Sequence, residues 1–398
     1  MPEDTRVIRV ALATLDAGIL VGATANFAWY DQNGNFLVSG RPGAAWRIER
    51  ETNGVRLRAV AGGGRDGVAT PWQRSLIARA TLRGDGGGFV TINGKRYRGE
   101  AVLLPVDSAG GVIAVNRLGL EDYLRGVVPV EMGRRPRGDS SALQAQAVAS
   151  RSYALARSTD RNVAYDVRAT TSDQVYGGVD VENDEANDAI DATRGLVLTI
   201  QGRIADAPFH STCGGATAAA SEVWRTGGGL AYLESVSDQI PGTDHYYCDI
   251  APRYRWTRSL SGSQLNAALA QYLAAYAAVP GGRPGIARTI GVRDRTASGR
   301  VATLDVETDK GIFALRGNDM RYVMREPGGE ILYSTYFSVE PEYRDGVVSR
   351  VTFRGQGYGH GVGMCQWGAI GRARAGQSFR SILGTYYPGT TVGLVSVQ

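Results

Sequence analysis

The sequence predicts a β-rich α+β fold spread over several domains, and three observations carry that prediction. Its 398 residues exceed what one small core organises. Its 54 glycines, about twice the usual ~7%, and 14 prolines point to many turns between short strands. Period-two alternation dominates the first hundred residues, and only two main helices are expected beyond them. Apolar residues at 43% and charged residues at 21% exclude a disordered tail, a coiled coil or a collagen-like fibre.

Taken in order, Val7 to Leu12, Phe27 to Tyr30, Gly54 to Val60 and Phe89 to Ile92 alternate as strands do, and Asn33-Gly34 and Asn93-Gly94 are hairpin turn pairs. From Leu118 to Leu124 the pattern becomes helical. Gly126 and Pro129 read as its stop, so Glu131 is expected to follow a break in structure. The clearest helix runs from about Ser141 to Arg157, capped by Asp139 or Ser140, and its alanines admit close neighbours. Gln144, Val148, Arg151 and Leu155 share one stripe, so the two polar members face a site, a buried partner or the helix rim. Strands are expected around Gln201-Gly202, a second helix over Ser261 to Ala278, and strands again from Ile286 to Leu315, with turns at Ser298-Gly299 and Lys310-Gly311.

The net charge is +5, and of 44 basic residues only Lys95 and Lys310 are lysines. Planar guanidiniums suit carboxylate, phosphate or sugar partners. The densest cluster is Arg134, Arg135 and Arg137, without the blocks of like charge that mark a nucleic-acid tail, so no nucleic acid is expected. No run approaches the ~18 apolar residues of a bilayer span. Residues 1–30 lack the basic start, apolar run and cleavage site of a signal peptide.

Five glycines, Gly355, Gly357, Gly359, Gly361 and Gly363, alternate with Gln356, Tyr358, His360 and Val362. In an extended chain this leaves one bare face that something flat approaches; a tightly packed β-corner is the other reading. His360, with glycine on both sides, is a candidate for binding or proton transfer. His210 with Cys213 and His245 with Cys248 repeat the spacing H-x-x-C. These four residues read either as a tetrahedral zinc site or as a Cys213–Cys248 disulfide with incidental histidines. Both schemes leave Cys365 as a small core residue. No G-x-S-x-G and no Walker loop occurs, so acid/base work by a carboxyl remains, with Glu121, Asp122, Glu131, Asp166 and Asp173 as candidates.

Six strings then become recognisable together: LEDYLRGVVPVEM (120–132), SALQAQAVASRSYAL (141–155), QVYGG (174–178), FHSTCGGAT with EVW (209–217 and 222–224), GQGYGHGVGMCQWGA (355–369) and ILGTYYPGT (382–390). In this order they resemble the stage II sporulation protein D (SpoIID/LytB) family, from about Ile8 to the C-terminus. The resemblance implies a lytic transglycosylase that cleaves peptidoglycan between N-acetylmuramic acid and N-acetylglucosamine and leaves a 1,6-anhydro sugar. For the sporulation members it implies denuded glycan as the preferred substrate. It places the catalytic acid at Glu131, and Arg151, Gln174, Tyr176, His210, Tyr358, His360 and Gln366 at the substrate. It implies no cofactor, peptidoglycan glycan strands as partner, and an extracytoplasmic site of action in the cell envelope or periplasm. The alternative from the LytB branch is a non-catalytic enhancer of a cell-wall amidase, or a wall-glycan-binding protein.

On this reading residues 7–107 form an N-terminal β-rich domain and 108–259 a catalytic core. Residues 260–345 are a helix-plus-β insertion, 346–398 complete the core, and the site occupies a groove between domains. Three departures stand out: Gly133 replaces the proline of the family's E-M-P, Gln144 replaces a lysine, and Ser172 and Asp173 stand where some members carry a Cys/His metal cluster. The last favours the disulfide for Cys213 and Cys248. Denuded strands expose a lactyl carboxylate on each muramic residue, for which Arg134, Arg135 and Arg137 are candidate selectors.

Overall fold

The computed structural model describes residues 6–15, 18–60, 73–106, 111–158, 163–224 and 230–394. The domain boundary expected at 107/108 lies outside the described residues. As the glycine and proline content implies, the fold is strand-rich α+β with several small sheets. The chain divides into two compact units: Met1–Leu198 with Gly202–Asp206 and Gly393–Gln398, and Thr199–Gln201 with Ala207–Val392.

The first unit is built on two layers, antiparallel except where Val167–Arg168 runs parallel to Val7–Leu15. A seven-stranded sheet takes, in spatial order, Val167–Arg168, Val7–Leu15, Val112–Gly119, Glu100–Pro105, Ala80–Gly84, Phe27–Tyr30 and Phe36–Gly40. A six-stranded sheet takes Lys95–Tyr97, Val90–Ile92, Ile19–Ala23, Ala45–Glu51, Gly54–Ala59 and Gln73–Ile77. Their inner faces meet at Trp29 and Trp46, both buried, whose rings cross edge to face at 6.3 Å. The Asn93-Gly94 turn closes its hairpin with both residues at positive φ, 48° and 81°, which matches the twist of the flanking strands.

Three helices complete this unit: α1 (Leu120–Met132), α2 (Ser140–Arg157) and α3 (Asp184–Ala192). Helix α2 is buried around most of its circumference, and its alanines allow that enclosure. The helix expected to stop at Gly126 continues to Met132. Gly126 does not terminate it; a Cβ there would lie 2.3 Å from Cε2 of Tyr176, so glycine admits the ring against the helix. Pro129 is buried inside the helix, where tertiary packing outweighs its ~3 kcal/mol helix penalty. The true stop is Gly133, whose φ of 68° is left-handed and beyond proline's reach.

The second unit holds α4 (Ala220–Val223), α5 (Gly262–Tyr272), α6 (Asp319–Val323), α7 (Gln366–Arg374) and α8 (Phe379–Tyr386). Ser261 caps α5 reciprocally with Gln264, and a 3-10 turn at Leu273–Ala275 ends it. Two three-stranded sheets, Arg255–Ser261/Val347–Gln356/Phe337–Arg344 and Ala287–Arg295/Val301–Thr308/Gly311–Arg316, pack with α5 around Leu269, Leu304, Val306, Val351 and Phe353. Phe209–His210 pairs in parallel with Met364–Cys365.

The glycine-rich segment departs from the extended form. The strand ends at Gln356, and Gly357, Gly359, Gly361 and Gly363 all take positive φ between 71° and 115°. Their missing side chains admit the protein's own groups: Gly359 lies against His210, Gly361 against the Arg300 guanidinium and Gly363 against the Pro208 carbonyl. The run is a packed corner, with no bare face of the kind an extended strand would leave.

Candidate functional site

In the first unit Glu131 occupies the last turn of α1, half-buried, and its Oε1 accepts a hydrogen bond of 2.9 Å from the backbone N–H of Val175. The helix therefore does not release Glu131 into a loop; it presents the carboxylate to the Gln174–Tyr176 segment. Arg135 Nε donates to the Met132 carbonyl at 2.5 Å and closes the exposed end of the helix. Arg134 and Arg137 are exposed on the same short segment.

The residues expected beside Glu131 form its framework. Gln174 is fully buried, accepts from the Tyr123 hydroxyl at 3.0 Å and donates to the Ser150 carbonyl. Tyr176 packs between Tyr97 and Tyr123 and donates to Asn116 Oδ1 at 2.9 Å. Burial pushes both Tyr123 and Tyr176 well above the ordinary phenol range, so both hydroxyls stay protonated. Arg151 is fully buried: Nε and Nη2 grip the Glu121 carboxylate at 2.8 and 2.7 Å, and Nη1 donates to the Leu196 carbonyl at 2.9 Å. Of the two polar members of the α2 stripe, Arg151 thus faces a buried partner, Glu121, which a fork-to-fork geometry satisfies.

In the second unit His210 and His360 pack edge to face at 5.5 Å, with Trp224 against His360. His210 Nδ1 faces the Val362 carbonyl at 3.1 Å and so carries its proton. His360 Nε2 faces the Phe209 carbonyl at 2.9 Å, and its Nδ1 accepts from Val362 N–H. Burial, reinforced by Arg300, pulls His210 down to about 3; burial and His210 hold His360 well below the usual imidazole range. Both imidazoles are neutral at physiological pH. Tyr358 is half-buried between Tyr333 and the Arg253 guanidinium, and Gln366 opens α7 in a buried position.

The cysteines gather into a larger group than either reading of the spacing: Cys213 and Cys248 meet, as the disulfide reading paired them, without His210 or His245. Cys213 and Cys248 are free thiols whose sulfurs approach to 3.4 Å, and Cys365 joins them. Asp238 completes a buried group of four donors lying within 4.8 Å of one another. His210 and His245 stand outside this group; His245 is exposed and faces Asp249. The parallel pairing of residues 209–210 with 364–365 brings Cys365 to Cys213, a long-range register that spacing along the chain does not reveal. Burial opposes ionisation of Cys365, yet hydrogen bonds from Cys213 and Cys248 bring it down to about 5.

The family described as stage II sporulation protein matches residues 108–200, and a domain of unknown function matches 230–363. An uncharacterized protein of Brachyspira hyodysenteriae is 32% identical over 307 residues, 77% of this chain and 74% of that one. The amidase enhancer of Bacillus subtilis is 31% identical over 345 residues, covering 76% of this chain and 45% of its own length. The stage II sporulation protein D of Bacillus subtilis is 27% identical over 295 residues, 70% and 76% of the two chains. The matched region encloses the Glu131 helix and the framework that holds it, and similarity runs on through most of the chain, which therefore belongs to the stage II sporulation protein D family.

Proposed function

We infer that this chain is a lytic transglycosylase of peptidoglycan glycan strands, acting outside the cytoplasm, with Glu131 as general acid and base. The observation that carries the reading is the seat of Glu131: a half-buried carboxylate on a helix end that accepts from the Val175 backbone N–H within the family-matched segment. A hydrolytic glycosidase needs a second carboxyl for water or for nucleophilic attack. A lytic enzyme needs one. Glu131 donates its proton to the bridging oxygen as the bond to the anomeric carbon breaks. It then takes the proton of the muramic C6 hydroxyl as that oxygen closes the anhydro ring, and so regains its starting state. The Val175 N–H stabilises the anionic form between the two steps, while Gln174, Tyr176 and Arg151 hold the segment and helices around it.

The test is product analysis. Pure protein incubated with denuded glycan yields 1,6-anhydro-muramic ends by mass spectrometry, and Glu131→Gln abolishes them. Product formation by that variant at the wild-type rate removes the assignment. The similarity to the amidase enhancer supports a second reading, a partner that stimulates a cell-wall amidase. In that case Glu131→Gln accelerates an added amidase as well as the wild type does, and neither protein generates anhydro ends.

A further inference from the structure

We propose that Cys213, Asp238, Cys248 and Cys365 bind one zinc-like divalent cation as a closed, structural site of three sulfurs and one carboxylate oxygen. This goes beyond the glycan reading and does not depend on it.

The geometry carries the proposal. The four ligand atoms lie within 4.8 Å of one another, all four residues are buried, and they come from three separate segments of the second unit. Tetrahedral zinc with Zn–S bonds of about 2.3 Å needs donors roughly 3.8 Å apart. The Cys213 and Cys248 sulfurs stand 3.4 Å apart, and Cys213 Sγ stands 3.7 Å from Asp238 Oδ2.

The surroundings are arranged for anionic ligands. Cys365 Sγ accepts two backbone N–H bonds, from Cys213 and Gly368, each 3.2 Å, the environment of a thiolate. Asp238 has its other oxygen, Oδ1, fixed by the Tyr386 hydroxyl at 2.7 Å and by Arg372 at 3.0 Å, which leaves Oδ2 turned to the sulfurs. Such outer contacts orient a ligating carboxylate. Gly368 is required beside it, since a Cβ there would lie 2.3 Å from Oδ2. A second buried guanidinium, Arg300, donates to the Cys213 carbonyl at 2.8 Å. Three thiolates and a carboxylate carry four negative charges; a dication with Arg372 and Arg300 matches them.

The rival is a Cys213–Cys248 disulfide. It requires closing the sulfurs to about 2.05 Å and an oxidant that accepts two electrons, and it gives Cys365 and the Asp238 oxygen that faces the sulfurs no role. The metal satisfies all four groups at once. With four protein ligands and no open position the site is structural: it ties the glycine-rich segment, through Cys365, to the segments carrying Cys213 and to Asp238 and Cys248. Because the ligands are buried, the ion enters during folding.

The test uses the full chain refolded under reducing conditions with zinc or with cobalt(II). The expected result is one metal per chain after extensive dialysis. Cobalt is expected to show the d–d bands of a tetrahedral site and a thiolate-to-metal charge-transfer band. In Cys248→Ser that band falls in proportion to two thiolates instead of three. Asp238→Asn binds cobalt more weakly, and His245→Ala binds it as the wild type does. No metal above background in a folded wild-type chain overturns the proposal. So does a mass lower by two hydrogens in zinc-refolded protein, or retention of the full charge-transfer intensity in Cys248→Ser. If Cys248→Ser fails to fold, the wild-type cobalt spectrum alone decides.

Discussion

Replacing Arg151 with methionine will cost the protein about 3–5 kcal/mol, the range for removing one partner of a buried ion pair. Arg151 is wholly enclosed and Glu121 is only 6% exposed. The two groups share two charge-assisted bonds of 2.7 and 2.8 Å, and a third holds the Leu196 carbonyl. Methionine fills most of the space of the arginine stem, so the loss comes from stranding Glu121, whose further contact is a long 3.4 Å bond from Gly195 N–H. The double variant Arg151→Met/Glu121→Met removes both charges and will recover most of that loss, because apolar replacement of a whole buried pair is near neutral. Arg117→Met is the control. Its partner Glu100 lies at 3.0 Å in a solvent-accessible pair, the two side chains 47% and 23% exposed, and such a pair contributes about 0–1 kcal/mol. Urea unfolding followed by circular dichroism, with linear extrapolation, measures all four proteins. An Arg151→Met loss below about 1 kcal/mol, or a double variant as unstable as the single, refutes the argument that an uncompensated carboxylate is what destabilises.

Three further outcomes are expected. Gly126→Ala gains up to about 1 kcal/mol of helix propensity but forces its methyl into Tyr176, an overpacking of about 1–3 kcal/mol; the urea midpoint will fall, and a rise would contradict the placement of that ring. His210 has its folded value near 3, below the unfolded 6.5, so the unfolded chain binds the extra proton between them. Its contribution is therefore complete above pH 6.5 and declines by about 1.4 kcal/mol per unit as pH falls towards 3. His360 acts in the same direction. Unfolding at a series of acidic pH values will show this slope, and His210→Gln will flatten it. Finally, glutamine at Arg134, Arg135 and Arg137 together will reduce turnover of denuded glycan more than that of peptide-bearing glycan; equal losses on both would end the idea that these cations select free lactyl carboxylates.

What the sequence determined by itself is the part of the structure ruled by near neighbours along the chain. The strand from Phe27 to Tyr30, the Asn93-Gly94 turn, helix α2 and the start of α5 near Ser261 are legible because alternation, φ preference and helical periodicity act over a few residues. The string around Glu131 likewise marked the family. Distant contacts decided the rest. Gly126 and Pro129 are local breakers, yet α1 passes through both because Tyr176, fifty residues on, occupies the space that glycine opens. The alternating glycines promised an open face, and the chain's own His210, Arg300 and Pro208 fill it. Arg151 finds Glu121 across 30 positions, and Cys365 reaches Cys213 across 152. A backbone preference is read from its own residue; the energy of a buried charge or sulfur depends on which remote group folding brings against it.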